Sequence, residues 1–146
     1  MRLVIKTAVG AKRPAIKTGF TKELFLSLNP PFPPVKLLQF DGCKTGDKVA
    51  LELNFIFFRQ QWISDIIEDS EGGSTWCFVD RGIKLPFFLS TWQHRHSVID
   101  LMQGSEIIDD IEFSTGLKFV DLLMYPVLYL QFLYRKPIYK SVFKAE

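Results

Sequence analysis

The chain has 146 residues, enough for one domain spanning 1–146, and 47% of them are hydrophobic, with Phe alone at 14 positions. That much ring surface is costly to leave in water and calls for a large apolar interior. The 18 basic and 16 acidic residues leave a formal net charge of +2, which excludes a general attraction to phosphate backbones, so no nucleic acid partner is expected.

In chain order, Arg2 to Val9 carries β-favouring residues and reads as a strand ended by Gly10. Pro14 and Gly19 punctuate a connector that holds a helical turn, and Thr21 is placed to cap a helix over Lys22–Leu28. Asn29-Pro30-Pro31-Phe32-Pro33-Pro34 stops that helix, because proline lacks the donor and fixes an extended path. Strands follow at Val35–Phe40 and Lys48–Phe58; in the latter Leu51, Leu53 and Phe55 alternate with Glu52 and Asn54. The alternation of Trp62, Ser64 and Ile66 marks Gln61–Glu68, before a turn at Asp69–Gly73 and a strand at Thr75–Asp80. Leu89–Leu101 and Glu106–Phe113 form a hairpin closed by residues 102–105. Sequential antiparallel strands with short turns predict a curved meander.

From Leu117 to Phe143 the period turns helical, with Val120, Met124, Leu128, Phe132 and Arg135 along one face. Pro126 and Pro137 are positions for kinks. The apolar run Leu122–Tyr134 is shorter than the roughly 20 residues needed to span a bilayer and is bounded by Asp121 and Arg135. It predicts a buried helix and no transmembrane segment, with docking on a membrane surface as the alternative. Cys43 and Cys77 lie apart, and the N-terminus has no secretory signal. Free thiols and a cytoplasmic location are the expectation.

The chemistry-bearing stretch is Trp92-Gln93-His94-Arg95-His96. On a strand, Trp92, His94 and His96 share one face, while Gln93 and Arg95 take the other. Both histidines of the chain then turn inward, where Asp80 and Asp109 come from neighbouring strands. The hairpin reading sets Asp109 opposite Val98, Ile111 opposite His96 and Phe113 opposite His94. Three roles fit the imidazoles. They could satisfy buried polar groups against Asp80 or Asp109, orient a ligand in an apolar cavity, or chelate a metal with a carboxylate as third ligand. With no further histidine and neither cysteine close, no metal and no cofactor is expected. No nucleophile motif, phosphate loop or metalloprotease motif occurs.

The order of elements resembles the START/SRPBCC helix-grip superfamily of polyketide cyclases, pollen allergens and lipid-transfer domains. The segments that carry it are Leu37-Leu38-Gln39-Phe40-Asp41-Gly42 with Gly46-Asp47, Trp62-Ile63-Ser64, Phe78-Val79-Asp80, Trp92-Gln93-His94-Arg95-His96, Asp109-Asp110-Ile111 and Phe132-Leu133-Tyr134-Arg135. They are similar to an uncharacterised bacterial ligand-binding subgroup. The resemblance covers nearly the whole chain, most loosely over residues 10–20. It implies an α+β helix-grip fold: a curved antiparallel sheet wrapped around a long C-terminal helix, with short helices after the first strand and a cavity between. It implies no particular activity, since the superfamily holds both catalysts and carriers.

The expected function is binding of a small hydrophobic, lipid- or polyketide-like molecule, more in keeping with a binding protein than an enzyme. Trp62, Phe78, Trp92, Phe113, Met124, Leu128 and Phe132 would form apolar walls. Ser64, Asp80, His94, His96, Asp109 and Arg135 would supply polar orientation. Two alternatives stand beside it: a cyclase- or dehydratase-like enzyme using His94 or His96 as general acid/base, and a protein-interaction module with a filled cavity. A homodimer remains open.

Overall fold

The strand expected at the N-terminus is β1 (Arg2–Val9), where Leu3, Ile5, Thr7 and Val9 are buried and the residues between them are exposed. The computed structural model describes residues 1–145. Two short helices follow, α1 (Arg13–Gly19) and α2 (Lys22–Ser27). The Thr21 hydroxyl accepts from Leu24 N at 3.3 Å, the cap read from the sequence. Beyond the proline run lie β2 (Val35–Phe40), β3 (Lys48–Asn54), β4 (Arg59–Gly72), β5 (Thr75–Lys84), β6 (Thr91–Asp100) and β7 (Ser105–Ser114). Each pairs antiparallel with its neighbour, and β1 closes on β7, giving one sheet in the order β1-β7-β6-β5-β4-β3-β2.

Several boundaries differ from the sequence reading; β5, expected to end at Asp80, runs to Lys84. The strand expected to reach Phe58 ends at Asn54, because Ile56 takes a positive φ of 74° and Asn54 Oδ1 accepts its N–H in a tight turn. Conversely, the turn expected at Asp69–Gly73 is strand as far as Gly72, with Gly73 alone in the left-handed region.

The single kinked helix expected at the C-terminus is two helices, α3 (Lys118–Leu133) and α4 (Arg135–Val142). Pro126 is accommodated inside α3. The break falls at Tyr134, just before Pro137, whose ring crowds the carbonyl four residues earlier and offers no N–H to it. At the other end, the Asp121 carboxylate accepts from Thr115 N (2.5 Å) and Thr115 Oγ1 (2.7 Å), tying α3 to the end of β7.

Two apolar clusters pack the concave face. Ile16, Leu24, Leu28, Trp76, Phe78, Val98, Tyr139 and Phe143 join α1, α2 and α4 to the sheet. Leu3, Ile5, Trp92, Ile111, Phe113, Leu128 and Phe132 join α3 to it. Among the described residues, no helix is long and apolar enough to cross a membrane.

Candidate functional site

Between α2, α3 and the concave sheet lies a cavity of about 550 Å³. Its floor is built by strand alternation: Leu51 and Leu53 from β3, Trp62, Ser64 and Ile66 from β4, Phe78 and Asp80 from β5, and Trp92, His94 and His96 from β6. Met124, Leu128, Phe132 and Arg135 of the C-terminal segment form the opposite wall. Phe32, Phe87 and Val127 line the space yet are exposed, which puts its mouth between the proline run, the β5–β6 loop and α3. Gly82 matters here: a Cβ at that position would stand 3.2 Å from Trp92 Cβ and 2.4 Å from Leu85 Cδ2, so its absence lets both side chains pack over the end of β5.

Of the site residues taken from the sequence, eleven line the cavity and two do not. Phe113 is 2% exposed and sealed in the core under α3. Asp109, 1% exposed, sits behind His94 as its partner and off the cavity wall. No β7 residue lines the cavity: Ile111 and Phe113 pack with Leu128 and Phe132 of α3, and Asp109 lies against His94. The hairpin register differs from the sequence reading as well. The β6–β7 loop is residues 101–104, closing Asp100 against Ser105, so every partner moves by two. Asp109 opposes His96, Ile111 opposes His94, and Phe113 opposes Trp92. A shift of two preserves the sheet face, so Asp109 still points inward. The loop is held there by Gly104, with φ of +73° and so little room that a Cβ would lie 2.0 Å from the Val9 carbonyl oxygen.

The polar centre is a ring of two carboxylates and two imidazoles. His94 Nε2 is 2.9 Å from Asp109 Oδ1, and His96 Nε2 is 3.0 Å from Asp80 Oδ2. The remaining sides are longer: His94 Nδ1 to Asp80 Oδ2 is 3.6 Å, and His96 Nδ1 to Asp109 Oδ1 is 3.7 Å. The imidazole centroids are 3.5 Å apart. His96 stacks on Phe78 at 4.2 Å, and His94 meets Phe132 edge-on at 5.1 Å, so the ring bridges the two apolar clusters. Trp92 Nε1 donates to Asp80 Oδ1 at 3.1 Å. Arg135 lies across Phe132, 4.2 Å from the ring centroid, with Nη1 3.5 Å from Asp109 Oδ1. Among the described residues, three atoms at this centre have no hydrogen-bond partner: His96 Nδ1, Asp109 Oδ2 and the Tyr139 hydroxyl.

No family model matches the chain, and no curated protein matches its sequence. Its structure, however, is similar to several solved ones. The Zhui aromatase/cyclase from Streptomyces sp. R1128 aligns with a TM-score of 0.68 at 12% identity, over 94% of this chain and 89% of that one. Protein Ms6760 from Mycobacterium smegmatis gives 0.68 at 12% identity, over 97% and 89%. The major latex-like protein 151 of Panax ginseng gives 0.61 at 14% identity, over 91% and 92%. The architecture is the helix-grip fold.

Within this helix-grip frame the electrostatics are set by burial and pairing. Burial pushes the Asp80 carboxyl upward, but the His96 hydrogen bond and the fields of both imidazoles outweigh it and hold it below its usual range. Asp109 behaves alike, with His94 and Arg135 as the opposing influences. Burial, aided by His94, pushes the His96 imidazole down to about 4, so it is neutral near pH 7. Its Nε2 then carries the proton donated to Asp80, an assignment made from the hydrogen-bond network. Two ionised carboxylates face one fixed cation, Arg135. The chemistry on offer is a neutral imidazole–carboxylate pair at the wall of an apolar cavity.

Sequence reasoning missed the α2 side of the cavity. Phe20, Leu24, Phe25 and Leu28 line it, as do Phe32, Cys43, Phe87 and Phe88. Leu24, Phe25 and Leu28 share a helix face, a signal legible in the sequence. The phenylalanines in loops carry no periodicity that could have placed them.

Proposed function

We propose that the protein binds a small, mostly apolar molecule, lipid-like or polyketide-like, in the cavity between sheet and C-terminal helix. Trp62, Phe78, Trp92, Met124, Leu128 and Phe132 form the apolar walls, and the polar end of the ligand meets Ser64, Asp80, His94, His96 or Arg135. The observation that supports this most is a cavity of about 550 Å³ with a mostly apolar lining, on one wall of which Asp80, His94 and His96 converge. Small-molecule sites have this size and this distribution of polarity, typically roughly 300–1,000 Å³. Apolar void in a core costs roughly 24 cal/mol per Å³, so an interior built for packing alone would have closed. The helix-grip folds of an aromatase/cyclase and a major latex-like protein agree with the reading.

The test is native mass spectrometry of freshly purified protein, with solvent extraction of any adduct. It is joined by titration with 1-anilinonaphthalene-8-sulfonate, read by quenching of Trp62 and Trp92 fluorescence. A co-purified molecule, or saturable one-to-one quenching, is expected. A bare chain that also leaves the probe unbound would refute it.

One observation favours a second reading, an enzyme of the cyclase or dehydratase type. The neutral His96 faces the cavity with Asp80 at 3.0 Å, a pairing able to move a proton on a bound carbonyl compound. Turnover of an identified substrate that survives both His94→Ala and His96→Ala would exclude it.

A further inference from the structure

The sequence offers two histidines and no third, so chelation looks weak there; sheet pairing supplies what is missing. Asp80 is the cross-strand partner of His94, and Asp80, His94 and His96 each present one ligand atom within 4.8 Å of the others. Asp80 Oδ2 is 3.6 Å from His94 Nδ1 and 3.0 Å from His96 Nε2. Around a tetrahedral ion with bonds of about 2.0–2.1 Å, neighbouring ligand atoms stand about 3.3 Å apart. These two separations bracket that value, and the third, between the two histidines, is within 4.8 Å. We propose that Asp80, His94 and His96 form a binding site for a divalent first-row transition ion such as Zn²⁺, with its fourth position open to the cavity.

The surroundings are those that metal ligands need. A ligating imidazole normally donates its other N–H to a carboxylate or carbonyl, and a ligating carboxylate is itself hydrogen-bonded. With an ion on Nδ1, His94 carries its proton on Nε2, which already stands 2.9 Å from Asp109 Oδ1. The second oxygen of Asp80 accepts from Trp92 Nε1 at 3.1 Å. His96 is the telling case. Its Nδ1 and Asp109 Oδ2 are buried without partners. An ion on Nε2 would move the imidazole proton to Nδ1, which faces Asp109 across 3.7 Å. His96 Nδ1 would then be a donor turned toward the Asp109 carboxylate, whose Oδ1 already faces His94 Nε2, and Asp109 becomes the common acceptor behind the two histidines.

Charge and donor type agree. Asp80 and Asp109 bring two carboxylates together, with Arg135 the permanent cation facing Asp109, so the cluster favours a cation at its centre. Two imidazole nitrogens and one carboxylate oxygen suit Zn²⁺ and its neighbours better than Mg²⁺ or Ca²⁺, which take oxygen ligands. An open fourth position distinguishes a site that engages a ligand from a closed structural one. Here that position looks into the cavity, where the polar end of a bound molecule would sit. Ion binding itself needs no such molecule, so the two proposals stand or fall separately.

The experiment uses the full chain, stripped with EDTA, dialysed and titrated with Co²⁺ in the absence of any organic ligand. Visible d–d bands saturating at one equivalent, and abolished by one equivalent of Zn²⁺, are expected. Asp80→Asn and His96→Asn should each weaken Co²⁺ binding well over ~10-fold, and Asp109→Asn by about 10–100-fold, the range for groups behind metal ligands. Near-UV circular dichroism establishes that each variant is folded. Should a variant not fold, proton NMR of the wild-type Co²⁺ form decides: two exchangeable, hyperfine-shifted imidazole N–H signals are expected. Absence of d–d bands in folded wild-type protein, equal affinity in wild type and folded Asp80→Asn, or absence of the shifted imidazole signals overturns the proposal.

Discussion

Replacing Asp109 by alanine in the metal-free protein removes the carboxylate that His94 and Arg135 both face. Its side chain is 1% exposed, His94 Nε2 lies 2.9 Å away and Arg135 Nη1 3.5 Å away. Alanine leaves a buried imidazole N–H without an acceptor and a guanidinium without its anion. Breaking a buried ion pair from one side costs about 3–5 kcal/mol. Asparagine is a different perturbation. Its amide oxygen can still accept from His94 Nε2, and its NH₂ can donate toward His96 Nδ1, an atom with no partner in the wild type. The loss is then chiefly the attraction to Arg135, about 1–2 kcal/mol. Urea unfolding followed by tryptophan fluorescence, with EDTA present, measures both. Asp109→Ala should lower the midpoint at unchanged slope by more than Asp109→Asn, about 3–5 against about 1–2 kcal/mol. Equal losses, or a loss under about 1 kcal/mol for alanine, would mean that the carboxylate is not balanced by these groups and that the ring is misassigned.

Three further outcomes follow from the same geometry. Burial, with the fields of Asp47 and Asp80 behind it, pushes the Cys43 thiol up to about 12. Iodoacetamide at pH 8 should therefore alkylate it far more slowly than the same residue in urea-unfolded chain, because the thiolate is the nucleophile. Since the unfolded thiol ionises near 9.0 and the folded one near 12, its contribution to stability is present below pH 9 and is lost as pH rises between them. His96 has the opposite sign. Its imidazole is depressed to about 4 from 6.5, so in metal-free protein the unfolded chain takes the proton first. Stability should fall as pH drops from 6.5 toward 4, a loss that calorimetry should find much reduced in His96→Asn. Finally, Leu128 is 3% exposed, between the sheet core and the cavity. Leu128→Ala should cost roughly 2–5 kcal/mol by thermal denaturation, while enlarging the space available to a bulkier probe.

The sheet was legible because its signal is local. Alternation alone assigns Trp62, Ser64, Trp92, His94 and His96 to the inner face, and any register error of two residues leaves that assignment intact. Such an error occurred at the β6–β7 hairpin. It cost the correct neighbours of Asp109 and Phe113, though not their orientation. What fixes the register is the approach of Gly104 to the Val9 carbonyl, a contact between segments almost a hundred residues apart, and no pattern within the hairpin records it. The break between α3 and α4 was half legible: Pro137 announces a disruption, but only the fold shows that Arg135, first residue of the new helix, turns toward Asp109.

The cavity lay beyond sequence for a physical reason. Trp62, Phe78 and Trp92 would read identically whether they filled an interior or lined one. What separates the outcomes is how far α3 stands from the sheet, and that is set at its two ends. Asp121 binds the start of α3 to Thr115, and Tyr139 and Phe143 anchor α4 in the first apolar cluster. Between those anchors Leu128 and Phe132 reach the core beneath α3, while Met124, Gln131 and Arg135 face the open volume. The charged ring lies where the two apolar clusters meet, with Phe78 on one side and Phe132 on the other. Hydrophobic replacements across those four positions could seal the space and stabilise the fold, because buried ion networks rarely outperform good apolar packing. A sheet that instead keeps Asp80, His94, His96 and Asp109 together at a cavity wall forgoes stability there, and the site proposals account for that choice.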